Sequence, residues 1–228
     1  MSVLFITGTG TGIGKTVATA ALAAAAGAAG LGVSVCKPVQ TGVADGDDDL
    51  AEVTRLAGVR AVHPGFGYPL PLSPAAASAA AGRPMPTRAE LRALIESADT
   101  GGLTLVEGAG GLLVELADDG ATIAELAGDL GAPVLVVVAP GLGTLNHTAL
   151  TLEALQRRGL ACAGLIIGSW PARPGAAAES NRIELARLAP LRAVLPERAG
   201  ALGRAEFTAQ ATAAVDADWL SALATPAR

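Results

Sequence analysis

The stretch that decides the reading of this chain runs from Val3 to Thr16: Val3-Leu4-Phe5-Ile6-Thr7, then Gly8-Thr9-Gly10-Thr11-Gly12-Ile13-Gly14-Lys15-Thr16. An apolar, β-branched run reads as a strand, the glycine-rich run as a loop, and Lys15–Ala29 as an Ala-rich helix. A phosphate-binding loop needs small residues so that successive N–H groups can point at one anion, with a helix N-terminus behind them. It also needs a lysine for the outer phosphates and a hydroxyl for Mg²⁺. All of these occur here in order. The spacing differs from the common form, since five residues rather than four separate Gly8 from Gly14-Lys15-Thr16, and Thr9 stands where the first glycine is usual. The plain alternative is a glycine-rich turn with an incidental lysine, which the flanking strand and helix disfavour.

Outward from this unit, further strand candidates lie at Val33–Lys37, Leu103–Val106, Val134–Val138 and Gly164–Ile167, with a less regular one at Arg192–Leu195. Helical spacing marks Asp49–Ala57, Ala75–Ala81, Arg88–Glu96, Ile123–Leu130, Leu145–Arg158 and Ser180–Leu188. Nearly continuous apolar strands alternating with helices predict a doubly wound α/β fold. Its sheet is mostly parallel, with helices on both faces and ligands beyond the carboxyl ends of the strands. The expected organisation is one domain over residues 1–228, in which 199–228 form a helical cap with a frayed end. The proline-rich stretch Pro64 to Pro74 reads as a rigid loop.

Composition narrows the function classes. The chain has 228 residues, 51% apolar, 16% charged and 3% aromatic, with 16 Lys+Arg against 21 Asp+Glu, and so lacks the basic footprint of a nucleic-acid binder. A mean hydropathy of +0.47 excludes disorder and raises the question of a membrane span. The two long uncharged runs, Thr16 to Cys36 and Leu130 to Leu152, are interrupted by glycines and prolines, and neither reads as one. Cys36 and Cys162 show no disulfide or zinc pattern and read as small core residues, and MSVLFITG lacks the features of a secretory signal. A cytoplasmic location is expected.

Four further segments carry chemistry. Lys37-Pro38-Val39-Gln40-Thr41-Gly42 ends the second strand on the same sheet edge as the loop. Its lysine either stabilises charge on a transferring phosphate or is an exposed residue before a proline-initiated turn. In the acidic run Asp45-Gly46-Asp47-Asp48-Asp49, at most one carboxylate is expected to be a Mg²⁺ ligand, the rest being a solvated loop or helix cap. Glu107 closes an apolar strand and is followed by Gly108-Ala109-Gly110-Gly111, which makes it a second candidate ligand, or else a simple strand-terminal turn. Gly141-Leu142-Gly143-Thr144-Leu145-Asn146-His147-Thr148 opens a helix whose free N–H groups suit a carboxylate, with Thr144 alternatively only an N-cap. His147 and His63 read as structural.

Together, Gly8–Thr16, Lys37–Gly42, Glu107–Gly111 and Gly143–Thr148 closely resemble the dethiobiotin synthetase family, whose phosphate loop has this longer spacing. The resemblance runs to about Pro196. It implies a phosphate-loop nucleotide-hydrolase fold, a homodimer, and a ligase of biotin synthesis that closes a ring through C–N bonds. In that reaction 7,8-diaminononanoate, CO₂ or bicarbonate and ATP, or another nucleoside triphosphate, give dethiobiotin, the nucleoside diphosphate and phosphate. A carbamate forms first, then a carbamic–phosphoric anhydride, and the neighbouring amine closes the ring.

Carried over position by position, Lys15 would bind the β- and γ-phosphates, and the amides of Gly12, Ile13, Gly14, Lys15, Thr16 and Val17 would cradle them. Thr16, Asp49 and Glu107 would hold Mg²⁺, with Gly108, Ala109 and Gly110 beside the nucleotide. Lys37, Lys15 and Thr11 would be catalytic. Thr41 would meet the diamine, and Gly143, Thr144, Leu145 and Asn146 the carboxylate, Asn146 across the dimer interface. Two positions depart from the family pattern. Gly12 replaces a frequent acidic residue, and Gly168 replaces an Asn that reads adenine, so base recognition would fall to backbone groups at Gly168, Ser169, Pro196, Glu197 and Arg198 with a relaxed preference among bases. Trp170 is the one evident stacking platform. Two rival readings are a partitioning ATPase of related fold, which would carry an early lysine at position 9, and a cobyrinate-type synthase, which would need a further domain with a nucleophilic cysteine.

Overall fold

The computed structural model describes residues 1–224; residues 225–228, and with them the frayed end expected there, lie outside the described part. The elements in chain order are β1 (Ser2–Gly8), α1 (Lys15–Ala28), β2 (Val33–Thr41), α2 (Asp49–Ala57), β3 (Ala61–Tyr68), α3 (Pro74–Ala81), α4 (Arg88–Ser97) and β4 (Leu103–Glu107). They continue with α5 (Ile123–Asp129), β5 (Val134–Val138), α6 (Thr144–Arg157), β6 (Cys162–Trp170), α7 (Ala176–Leu188), β7 (Leu191–Pro196), α8 (Arg204–Ala214) and α9 (Ala217–Ala224). All seven strands form one sheet in the order β3-β2-β4-β1-β5-β6-β7, and every pairing is parallel. β1 therefore lies centrally, and the chain winds outward from it in both directions, the topology that opens a crevice at the strands' carboxyl ends.

Period-two alternation builds a core on each face. Leu4, Ile6, Leu103, Leu105, Leu135 and Val137 point to the layer that holds α1, α2, α8 and α9. Val3, Phe5, Val106, Val134, Val136 and Val138 point to the layer of α4, α5, α6 and α7. The Ala-rich segment that raised the membrane question is α1, with Ala18 and Ala20 to Ala26 all buried. Among the described residues no helix is long and apolar enough to cross a membrane. Thr87 with Glu90, and Thr122 with Glu125, form reciprocal capping boxes at the starts of α4 and α5. Cys36 and Cys162 are free, and burial pushes the Cys36 thiol up to about 12, which keeps it unreactive at neutral pH.

One expectation is corrected. Residues 64–68 are not loop but the second half of β3, which pairs with β2 from Ser34↔Ala61 to Thr41↔Tyr68. Pro64 is tolerated because β3 is an edge strand with a single neighbour, so its missing N–H breaks no second ladder. Pro38 is tolerated in β2 for a related reason: pairing with β4 ends at Cys36↔Val106, two residues earlier. Only residues 69–73 form the connection to α3, and Pro69 and Leu70 accept hydrogen bonds from Ala44 and Gly42.

Gly65 shows how tightly β3 is seated, since a Cβ there would lie 2.0 Å from the Pro38 carbonyl oxygen and 2.8 Å from Leu94 Cδ2. Gly65→Ala should lower stability by about 1–3 kcal/mol. Gly67→Ala, whose Cβ would meet nothing nearer than Val43 Cγ1 at 3.5 Å, should stay within about 0.5 kcal/mol of wild type. Urea midpoints of the two variants distinguish these outcomes.

Candidate functional site

The loop after β1 is fixed at both ends. Thr9 N–H donates to Val137 O at 3.0 Å, and Gly14 enters α1 with φ 94° and no side-chain cap, so the first N–H groups of α1 remain available to an anion. Lys15 folds back to donate to Gly10 O at 2.8 Å. Gly14 also interlocks with β6: a Cβ on Gly14 would sit 2.7 Å from Gly168 O, and one on Gly168 only 2.1 Å from Ile13 O. Gly168 is therefore dictated by close packing of the loop on β6. The sequence reading placed Gly168, Ser169 and Trp170 after the fifth strand candidate, but β6 continues through all three.

The centre of the site is a cluster of charges. Lys37 is buried in the middle of β2 rather than exposed at its end, and its ammonium donates to Asp49 Oδ2 at 2.5 Å, Glu107 Oε1 at 2.8 Å and Gly108 O at 3.1 Å. The reading of Lys37 as an exposed residue before a turn is thereby excluded. Thr16 Oγ1 lies 2.9 Å from Asp49 Oδ1 and 3.0 Å from Glu107 Oε1. Glu107 is 1% exposed, and its Oε2 is buried without a hydrogen-bond partner. One hydroxyl and two carboxylates form a hard oxygen donor set of the kind Mg²⁺ takes. The orphaned Oε2 fits a cation that the protein itself does not supply.

The acidic run divides its labour. Asp49, in the first turn of α2, reaches the cluster, while Asp48 accepts from Ala51 N–H at 2.8 Å as the N-cap. Asp47 lines the cleft together with Gln40. Neither was singled out in the sequence, although both lie inside quoted motifs. A cleft of about 420 Å³ brings together Thr11, Gly12, Gly14, Lys15, Thr16, Val17, Lys37, Thr41, Asp49, Glu107, Ala109 and Gly110. Ile13 packs instead against the core, and Gly108 contributes its carbonyl to Lys37.

The other expected residues lie on the same sheet edge, outside this cleft. Gly143, with φ 88°, caps α6 without a side-chain bond, so Thr144 is the first helical residue rather than the N-cap, and its hydroxyl is buried without a partner. Leu145 and Asn146 follow it in the first turn of α6. The buried Asn181 of α7, missed in the sequence, donates to Pro140 O and Gly141 O at 2.9 Å each and so fixes the approach to Gly143. Ser169 is exposed near the end of β6, and Pro196 ends β7, with Glu197 and Arg198 in the turn that follows, where Glu197 N–H donates to Trp170 O at 2.6 Å. Arg182 lies 5.6 Å from the Trp170 ring centre, so that ring already has a cationic partner.

The electrostatics of the pair follow from its geometry. Burial acts to lower the Lys37 ammonium, but Glu107 and Asp49 beside it outweigh this and hold it above its ordinary value. Burial acts to raise Asp49, but Lys37 and the hydrogen bonds it accepts hold it below its ordinary value. Lys15 is lowered by burial and by repulsion from Lys37. A depressed carboxylate contributes stability above its unfolded pKa, lost as pH falls. A raised ammonium contributes stability below its unfolded pKa, lost as pH rises. Asp49→Asn should therefore cost a constant amount of stability between about pH 5 and pH 9, a difference that shrinks as pH falls below the ordinary Asp value of 3.8. Urea midpoints across pH measure this.

Comparison with known proteins completes the picture. A family profile described as an AAA domain matches residues 2–200. The ATP-dependent dethiobiotin synthetase of Mycolicibacterium vanbaalenii is 63% identical over 225 residues, covering 98% of this chain and 100% of that protein. Those of Mycobacterium avium and Mycobacterium leprae are 62% and 60% identical, covering 98% of this chain and at least 99% of theirs. Among solved structures, the septum site-determining protein MinD with Mg-ADP from Pyrococcus horikoshii superposes with a TM-score of 0.57 at 19% identity, over 97% of this chain and 93% of that one. This likeness shows the doubly wound fold that the strand pattern predicted, and nothing more specific. With identity of 60% or more along nearly its whole length, the chain belongs to the ATP-dependent dethiobiotin synthetase family.

Proposed function

We propose that the cleft beside Lys37 carries out this family's reaction, the ATP-dependent ring closure of 7,8-diaminononanoate with CO₂ to dethiobiotin in biotin biosynthesis. The observation that carries the reading is the buried contact of Lys37 with Asp49 and Glu107, next to Thr16 and the open N-terminus of α1. Thr16, Asp49 and Glu107 would hold Mg²⁺, which when bound neutralises charge on the β- and γ-phosphates. The amides from Gly12 to Val17 receive the phosphates, and Lys15 turns from Gly10 O to the outer ones. Ala109 and Gly110 flank them in the cleft.

The chemistry then needs positioning more than acid–base groups. One substrate amine attacks CO₂ and loses a proton, giving a carbamate. A carbamate oxygen attacks the γ-phosphorus, and the bond to the leaving diphosphate breaks. The second amine attacks the carbamate carbon and releases phosphate, which closes the ureido ring; because both amines sit on one molecule, orientation supplies much of the rate. Lys37 and Thr11 stabilise charge on the carbamate and the transferring phosphoryl group, and Thr41 orients the diamine end. Gly143 to Asn146 take the substrate carboxylate at the uncapped start of α6. Backbone groups at Gly168, Ser169 and Pro196 to Arg198 meet the base, since Gly168 offers no amide side chain.

Incubation with the diamine, bicarbonate, Mg²⁺ and nucleotide, with dethiobiotin followed by mass, tests this. Nucleotide turnover independent of the diamine would reject it. Backbone recognition predicts measurable product with CTP, GTP or UTP as well as ATP, and strict ATP dependence would show that side chains read the base. Lys37→Ala should reduce product about a hundredfold or more. Because that variant strands the buried Glu107 and the partly buried Asp49, nucleotide binding and thermal melting are measured alongside. Unchanged turnover would remove Lys37 from the mechanism.

A homodimer is part of the same proposal. Leu142 is 90% exposed, and Leu150 and Ile183 on α6 and α7 are also exposed, an apolar surface beside the residues proposed to take the carboxylate. Leu142→Asp with Ile183→Asp should yield monomers by sedimentation and raise KM for the diamine more than for ATP. A wild-type monomer at assay concentration would refute it.

A further inference from the structure

The chain contains two lysines, Lys15 and Lys37, among its 16 basic residues, and both stand in the cleft. Lys37 uses all three of its N–H bonds on Asp49 Oδ2, Glu107 Oε1 and Gly108 O. In this arrangement none is left for a substrate oxygen. Thr16 Oγ1 approaches the same two carboxylates from the other side, and Glu107 Oε1 lies within hydrogen-bond distance of both Lys37 Nζ and Thr16 Oγ1. A divalent cation held by Thr16, Asp49 and Glu107 would take the orphaned Glu107 Oε2 and Asp49 Oδ1, and so would lie beside the carboxylate oxygens that now accept from Lys37. Two cations so placed repel one another with little screening in a site where Lys37 is 4% and Glu107 1% exposed.

The charge count gives the order of events. Lys15 and Lys37 face Asp49, Glu107 and, at the exposed rim, Asp47, so a divalent ion arriving alone leaves a net positive charge in the cleft. An ion arriving with a triphosphate brings the compensating negative charge with it. We infer that Lys37 is the resident cation of the Asp49–Glu107 pair before nucleotide binds, holding the two carboxylates in place. The divalent ion that enters with the nucleotide displaces the ammonium, which then becomes free to donate to the carbamate and phosphoryl oxygens. The inference rests on the metal-site reading proposed above. Lysine suits this exchange because its compact ammonium on a flexible stem can change partners, whereas a planar guanidinium holds a carboxylate in a fixed fork.

The test uses Mn²⁺ as the probe metal and the intact protein without nucleotide. Wild type should bind Mn²⁺ weakly by electron paramagnetic resonance, and Lys37→Met should bind it about tenfold more tightly or better. Lys37→Arg, which retains the charge, should bind as weakly as wild type. Equal affinity of wild type and Lys37→Met would overturn the exchange. A measurement on wild type does not depend on how the variant folds: with ¹⁵N-lysine the spectrum holds two side-chain signals, assigned by the loss of one in Lys37→Arg. The Lys37 signal should shift when Mg²⁺ and ADP are added together and stay in place with Mg²⁺ alone. An unmoved signal with both would also overturn it. Asp49→Asn and Glu107→Gln with ADP present separate the two readings. If neither weakens Mn²⁺ binding, the metal site itself is wrong. If both weaken it while Lys37→Met binds no tighter, only the exchange fails.

Discussion

A buried ammonium ion between two carboxylates is costly unless every partner is in place, and this is the constraint on which the site's architecture depends. Lys37, Asp49 and Glu107 come from β2, the start of α2 and the end of β4, and the sheet register brings the strands' contributions together. β2 and β4 pair through Cys36↔Val106, so Lys37 and Glu107 are the next residues along their strands. A slip of one residue in either strand would turn its charged residue to the face opposite the other. The apolar rungs before them, Val35↔Leu105 and Cys36↔Val106, fix that register through their burial in both core layers. The core of the sheet thus does more than stabilise the fold, because it sets where the charges emerge.

The third partner depends on helix chemistry. Asp48 caps α2, which leaves Asp49 as the first helical residue, one position further along and pointed at Lys37 and Thr16. At its other end α2 is tied to the segment before α8. Arg55 donates to the carbonyls of Gly200 and Leu202, and Arg204 donates to those of Thr54 and Arg55. The helix that presents Asp49 is thereby fixed to the stretch following Pro196 to Arg198. Asp49 and the residues proposed to meet the base thus share one support.

Much of this was legible in the sequence, and the misses have physical causes. β1, β4 and β5 are buried on both faces and read as continuous apolar runs. β3 was missed because its Ala61–Tyr68 sequence carries a proline, two glycines and a histidine, residues that only an edge position tolerates, and edge position is a tertiary fact. β2 and β6 run past their continuous apolar runs because Lys37 to Thr41 pair with β3 and Trp170 pairs with Pro196 of β7. In the site, the glycine loop, Thr16 and Glu107 were readable because each sits at a strand end or helix start, whereas the choice of Asp49 within its acidic run came from the family resemblance. The burial of Lys37 was not, since it requires two carboxylates distant in sequence. Asn181 lay out of reach for the same reason: its partners, Pro140 and Gly141, are brought to it by folding.

The departure at Gly168 acquires a structural meaning. Ile13 and Gly14 lie so close to β6 that the backbone of Gly168 fills the space where a Cβ would have to go. An amide side chain at 168 would have to push the phosphate loop away from the sheet or bend β6, and either movement would carry Gly14 and the start of α1 with it. In this chain β6 and the glycine-rich loop are therefore packed as one unit. Recognition of the base by a side chain at that position and the present seat of the loop are alternatives that exclude one another. A chain with 3% aromatic residues, whose Trp170 is already engaged by Arg182, offers little stacking in exchange. Under the proposed reading, loop packing would leave the base to backbone groups on Ser169 and on Pro196 to Arg198, which would discriminate through a few hydrogen bonds rather than through a shaped side-chain pocket.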